Sequence, residues 1–225
     1  MPETRGVLFD LDGTLVDSEW LHVGAWQGIV ENYKLDLTGD WDKDYIGKPD
    51  VYQAEKMRLQ FPHLPEIPEL LVERHAIYQR LLRENSDKIR FPGVEEGLKK
   101  LRADGFKLAV GTNSPRGNTT TALEAAGIDK YFDALVAFGM VPHGKPAPDI
   151  YLEAARRVGV DPSLCVVVED TDVGIMAGKA AGCVSIGVAT SYDPKDLAKA
   201  DRIFNTTKEA IDWIRASADC GAKRE

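Results

Sequence analysis

Two aspartates, Asp10 and Asp12, stand in the run V-L-F-D-L-D-G-T-L-V-D-S-E from Val7 to Glu19, the first place in the chain where residue types and spacing suit chemistry. Val7, Leu8 and Phe9 form a short continuous apolar run, the composition of a strand buried on both faces in a parallel sheet. Asp10 then lies at the strand's C-terminal end, the edge where open α/β sheets bind ligands. Two acids held there by an apolar strand need a compensating partner such as a metal ion. Gly13 permits the sharp turn that follows. The same letters also fit a plain acidic turn after a strand. Half of a calcium loop is a third reading, and it fails because Leu15 and Val16 stand where further oxygen ligands are needed.

Three more polar groups fall where apolar runs stop or in the loops between them: Thr112-Asn113-Ser114, Lys145, and Glu169-Asp170. If each strand ends with its apolar run, these residues meet Asp10 and Asp12 on one sheet edge. The set combines acids, a hydroxyl with backbone N–H groups, and one ammonium. That suits Mg²⁺ with a phosphate, hard oxygens holding the ion while Lys145 and N–H groups hold phosphate oxygens. Taken singly, each group has a plainer account. Thr112 to Pro115 reads as a helix N-cap, Lys145 as a solvated loop lysine, and Glu169 to Asp172 as acids suited to a helix dipole. Four separate loops with complementary chemistry are hard to ascribe to capping.

The elements that must position these residues follow from the apolar rhythm. From Ser18 to about Tyr33 the pattern is helical, with Leu21, Ala25, Ile29 and Val30 on one face beside His22 and Trp26. Val51 to Phe61 reads as a second helix, Pro62, Pro65 and Pro68 punctuate a loop, and Glu69 to Arg83 carries Leu70, Leu71, His75, Tyr78, Leu81 and Leu82 at helical spacing. After Phe91-Pro92-Gly93 helices and strands alternate strictly, the signature of βαβ units. Helices are expected at 94–104, 116–126, 148–158, 173–181 and 207–217, several closed by a glycine. Strands are expected at 107–111, 134–138, 165–168, 184–188 and near Ile203, with a frayed tail from Ser217. The fold class is therefore α/β: a Rossmann-like parallel sheet with helices on both faces (1–17 and 91–225) and an inserted all-helical domain (18–90).

The 225 residues, 44% hydrophobic, can bury one sizeable core or a core plus a smaller domain. A formal charge of −8 argues against nucleic acid as the main partner. Cys165, Cys183 and Cys220 form no C-x-x-C pair and read as reduced thiols. The opening M-P-E-T-R-G has no apolar leader region and no stretch reaches the length of a membrane span, so a cytoplasmic enzyme is the expectation; separately, a monomer or weak dimer is expected. No G-x-G-x-x-G is present, and Pro146 after Gly144-Lys145 excludes a Walker loop.

With these motifs in view, the chain resembles a haloacid dehalogenase-superfamily phosphohydrolase with a helical cap inserted after the first strand. D10-L-D-G-T-L-V-D-S-E19 is similar to the first motif, Thr112 to the second, Lys145 in G-K-P-A-P-D-I-Y to the third, and V-V-V-E169-D170-T-D-V-G-I-M-A-G to the fourth. The Glu169-Asp170 pair resembles the branch holding β-phosphoglucomutase and sugar-phosphate phosphatases. The resemblance implies Asp10 as nucleophile and Asp12 as general acid/base. It implies Mg²⁺ bound by Asp10, the Asp12 carbonyl and Asp170 with Glu169 nearby, and a phosphoryl group held by Thr112, Lys145 and the Asn113 backbone. A dehalogenase is disfavoured, because that branch lacks the D-x-D-G-T pattern, and Asp172 is expected to cap its helix.

The cap is expected to select the substrate. His22 matches a histidine of β-phosphoglucomutase and Arg74 falls near a cap lysine of that enzyme, whereas Gly47-Lys48-Pro49-Asp50 lacks the arginine that follows the mutase's cap glycine. His22, Lys48, Arg74, Ser114 and Arg116 are the candidate substrate contacts. The implied function is a Mg²⁺-dependent phosphatase of small phosphorylated metabolites, sugar or polyol phosphates. A phosphosugar mutase and a non-catalytic phospholigand-binding protein are the alternatives.

Overall fold

The structure, a computed structural model, describes residues 5–37 and 50–222, with side chains through Ser217. The chain divides into two compact units, Met1–Asp17 with Asp87–Glu225, and Ser18–Ser86.

The first unit is built on six parallel strands: β1 (Gly6–Phe9), β2 (Lys107–Pro115), β3 (Ala134–Phe138), β4 (Cys165–Glu169), β5 (Val184–Val188) and β6 (Arg202–Phe204), in the order β3-β2-β1-β4-β5-β6. From β1 the order runs outward to β3, and from β4 it runs the other way to β6. The switch point therefore lies between β1 and β4, where open α/β sheets form a crevice beyond the strand ends. Phe9 is in register with Val110 on one side and Val168 on the other, which brings Asp10, Gly111 and Glu169 level one residue later.

Helices cover the sheet because its central strands β1, β4 and β5 are apolar and buried along nearly their whole length. In chain order the eight helices among the described residues are α1 (Glu19–Asn32), α2 (Asp50–Gln60), α3 (Ile67–Glu84), α4 (Val94–Ala103), α5 (Arg116–Ala126), α6 (Asp149–Val158), α7 (Asp172–Ala180) and α8 (Thr207–Ala222). α6 lays Ile150, Tyr151, Ala154 and Ala155 on Leu8, Ala109, Val136 and Val167, all fully buried. Each large apolar side chain removed from water there contributes about 1.5–3 kcal/mol, and the two alanines let the helix approach the sheet. α4 and α8 pack together, with Gly97 admitting Ile211: a Cβ at Gly97 would stand 2.9 Å from Ile211 Cδ1.

The helical unit holds α1, α2 and α3. α1 buries Leu21, Ala25, Trp26 and Ile29, and α3 buries Leu70, Arg74, Ile77, Tyr78 and Leu82. Trp26 thus takes the core position expected of Val30, and Arg74, not His75, is the buried polar residue of α3. α1 and α3 lie close because a Cβ at Gly28 would be 3.0 Å from Ile77 Cγ2.

Three expectations need correction. β2 runs on from Gly111 to Pro115, because pairing with β3 resumes at Pro115 and Phe138 after a register shift, so Thr112, Asn113 and Ser114 extend the strand. Pro68 opens α3 rather than ending a loop, a position where its missing N–H costs nothing. α8 continues to Ala222, past its expected end at Ser217; residues 223–225 of the expected frayed tail lie outside the described residues.

Candidate active site

Asp10 continues the β1 ladder by donating its N–H to Val168 O (2.9 Å), which fixes its carboxylate at the switch point, 8% exposed. The chain then turns tightly, with Leu15 N bonded to Leu11 O (2.8 Å) and Gly13 N to Val16 O (2.8 Å). Gly13 has φ +75°, and a Cβ there would lie 2.8 Å from Asp170 Cγ. Only glycine suits both constraints. The turn aims Asp12 toward β2, where Ser114 Oγ donates to Asp12 Oδ2 (2.6 Å).

Lys145 is the centre of the charge arrangement. Its Nζ donates to Asp10 Oδ1 and to Glu169 Oε1, each at 2.5 Å, and its side chain is 4% exposed. The loop that carries it is held by Asn113: Lys145 N donates to Asn113 Oδ1 (2.9 Å) and Asn113 Nδ2 to Lys145 O (3.3 Å). Gly144 leaves room for that clamp, a Cβ there standing 2.6 Å from Asn113 Oδ1. Glu169, fully buried, accepts from Lys145 and from Tyr151 Oη (2.9 Å) through Oε1, and from Thr171 N (3.1 Å) and Thr171 Oγ1 (2.8 Å) through Oε2. Asp170 accepts from Thr14 Oγ1 (3.3 Å) and from Ser191.

Asp10, Glu169 and Asp170 each offer a carboxylate oxygen within 4.8 Å of one another. Burial pushes Asp10 well above the usual carboxylate range; Lys145 draws it down, while Glu169, Asp170 and Asp12 push it up further. Burial, then the Glu169 charge, push Asp170 up to about 8. Burial alone would lower Lys145, but Asp10 and Glu169 raise it above its ordinary value and keep it an ammonium. Buried acids outnumber the buried cation, and their donors are all hard oxygens. A hard divalent cation fits this set on both counts.

The structure brings together Asp10, Asp12, Thr112, Asn113, Ser114, Lys145, Glu169 and Asp170 in one unit. The N-cap reading of Thr112 to Ser114 fails, for α5 has no side-chain cap bond. Thr112 Oγ1 accepts from Ser114 N (3.0 Å) instead. Thr171 rather than Asp172 caps α7, accepting from Gly174 N, while Asp172 Oδ2 accepts from Lys199 (2.8 Å). Arg116 opens α5, exposed, and lines a groove of about 640 Å³ with Asp133, Met140 and Arg157. In the helical unit, Arg74 Nη2 bonds His22 Nδ1 (2.8 Å) and Nη1 bonds Asp50 Oδ2 (3.0 Å); His75 Nε2 lies 2.9 Å from the same oxygen and His22 stacks on Tyr78. Lys48 lies outside the described residues.

Sequence reasoning missed Tyr151, Thr14 and Ser191. Ser191 follows β5, so the rule that found the other groups, polar residues just past a strand, would have found it. Tyr151 had no such signal, being one aromatic among the core residues of α6.

The sequence profile of the haloacid dehalogenase-like hydrolase family matches residues 4–182. The phosphorylated carbohydrates phosphatase of Thermotoga maritima is 32% identical over 223 residues, covering 92% of this chain and 100% of that one. The β-phosphoglucomutase of Bacillus subtilis is 29% identical, covering 82% and 83%. The solved structure of CbbY from Rhodobacter sphaeroides in complex with phosphate superposes with a TM-score of 0.76 at 26% identity, covering 92% of this chain and 96% of that one. The buried Asp10–Lys145–Glu169 arrangement, the parallel sheet that carries it and these likenesses agree: the chain belongs to the haloacid dehalogenase-like hydrolase family, as an enzyme of its phosphatase kind.

Proposed function

We propose that the enzyme hydrolyses small phosphorylated carbohydrates or polyols through a phosphorylated Asp10, with Mg²⁺ as its cofactor. The observation that carries this reading is the buried ammonium of Lys145, 2.5 Å from both Asp10 and Glu169 at the end of β1. A cation held against the nucleophile by a second buried acid is a ready partner for phosphoryl oxygens.

Asp10 and Asp170 would hold the ion, with the Asp12 carbonyl and Glu169 beside them. Bound there, Mg²⁺ neutralises charge on the phosphoryl oxygens. The Asp10 carboxylate attacks phosphorus in line while Lys145 and Thr112 hold the equatorial oxygens. The bond to the leaving alkoxide breaks, and Asp12 gives that alkoxide its proton. Asp12, now a carboxylate oriented by Ser114, takes a proton from water. The water oxygen attacks phosphorus, the Asp10–phosphorus bond breaks, and inorganic phosphate leaves with Asp10 restored. Asn113 serves this sequence through its side chain, which fixes the Lys145 backbone.

The helical unit is proposed to select the ester, with His22, held by Arg74, as its polar candidate. A mutase reading draws on the likeness to the Bacillus subtilis enzyme. Against it, Arg74 is committed to Asp50 and His22. The proposed setting is the cytoplasm, as a monomer or weak dimer; among the described residues no helix is long and apolar enough to cross a membrane.

The test is phosphate release from a panel of sugar and polyol phosphates with and without Mg²⁺, with β-glucose 1-phosphate followed for conversion to glucose 6-phosphate. Mg²⁺-dependent release is expected. Isomerisation outrunning release would establish the mutase, and neither activity from folded protein would favour phospholigand binding alone.

A further inference from the structure

Lys145 needs a fixed place as well as a charge, and its surroundings show what supplies one. Its Nζ lies 4.8 Å from the centroid of the Tyr151 ring, within cation–π range. The Tyr151 hydroxyl donates to Glu169 Oε1, the same oxygen that accepts from Lys145. An ionised carboxylate has about four acceptor positions. Those of Glu169 meet four donors, from Lys145, Tyr151 and twice from Thr171. The ring occupies space that Gly111 leaves open, since a Cβ there would stand 3.0 Å from Tyr151 Cε1. A phenylalanine would fill the same volume in the core, so the hydroxyl answers to Glu169 and not to packing.

We infer that Tyr151 is a positioning residue for phosphoryl transfer: its hydroxyl steadies Glu169 and its ring face supports the ammonium, and together they hold Lys145 where the phosphoryl oxygens must be met. This rests on the phosphatase reading above. Tyr151 takes no proton and forms no bond to substrate; it acts only through Lys145. A group held by packing and hydrogen bonds of this kind keeps the geometry that transfer requires.

The test is a double-mutant cycle between Tyr151 and Lys145. Tyr151→Phe should lower kcat by about tenfold with KM and the Mg²⁺ concentration for half-activation within about twofold of wild type. Tyr151→Met, which also removes the ring, should lose more, roughly a hundredfold. In a Lys145→Ala background, either substitution should cost less than about twofold, because the residue it positions is gone. The same cycle is read in orthovanadate affinity, by titration calorimetry at a temperature where every variant is folded. A Tyr151→Phe enzyme within twofold of wild type in kcat and vanadate affinity would overturn the inference. An equal loss with and without Lys145 would also overturn it. Wild-type protein that binds vanadate yet releases no phosphate from any ester would count against the phosphatase reading, and the vanadate cycle would then decide the role of Tyr151 by itself.

Discussion

Removing divalent metal and raising the pH should destabilise this protein across a range where most proteins are indifferent. Asp170 is 3% exposed, and burial beside Glu169 pushes its pKa from the ordinary 3.8 up to about 8. A folded-state pKa above the unfolded one means the folded protein holds the extra proton. The associated stability is full below pH 3.8 and is lost as pH rises through about 8. Asp10 is displaced in the same direction. From pH 5 to pH 8 the Asp170 proton alone, at about 1.4 kcal/mol per pH unit, corresponds to roughly 4 kcal/mol. For a chain of this size that lowers the melting midpoint by about 8–16 °C. The groups displaced downward, such as Asp133, Asp201 and Glu153 at about 2, lose their contributions only at lower pH, so the window is clear of them. The assay is thermal unfolding in EDTA and in saturating Mg²⁺ between pH 5 and 8. In EDTA the midpoint should fall with pH; in Mg²⁺ the fall should flatten, because the cation favours the ionised carboxylates. Asp170→Asn should diminish the fall, leaving the part that belongs to Asp10. A metal-free midpoint that is level or rises from pH 5 to 8, or an undiminished fall in Asp170→Asn, would refute this linkage.

Gly174→Ala should cut kcat by about a hundredfold, since the added Cβ would overlap the Glu169 carboxylate and displace the anchor of Lys145; steady-state kinetics checks it, and a normal kcat would contradict the anchoring role. Arg74→Met should cost about 3 kcal/mol in urea unfolding, because Asp50 loses its guanidinium partner and Trp26 and Tyr78 lose the cation over their rings. Ser114→Ala should lower kcat by about three- to tenfold with little change in KM, since the donor that fixes Asp12 Oδ2 is removed; a KM effect alone would make Ser114 a substrate contact instead.

Much of the fold is legible in the sequence because its elements are locally consistent. β1 and β4 are apolar runs that end in acids, and Gly127 and Gly159 close α5 and α6 in the left-handed conformation. That Asp10, Lys145, Glu169 and Asp170 meet was legible for the same reason: each stands just past a buried strand or in a loop at the same sheet edge. The rest depended on long-range pairing. β2 extends through Thr112 to Pro115 because β3 supplies a partner there, which no local pattern encodes. Asn113 was expected to act through its backbone, and the side-chain clamp on Lys145 became visible only when the two loops met. Arg74, one residue from the expected His75, is buried because Asp50 and His22 supply its partners from other helices.

The most direct test of Asp10 as nucleophile is to trap its phosphorylated form. Enzyme mixed with a turned-over sugar phosphate and Mg²⁺, then quenched in acid and reduced with borohydride, should carry homoserine in place of Asp10 by peptide mass spectrometry. The modification should require substrate, and Asp10→Asn should be inactive while melting as a folded protein. Turnover by Asp10→Asn, or full wild-type turnover with no modification at Asp10 under conditions that trap a known acyl phosphate, would contradict it.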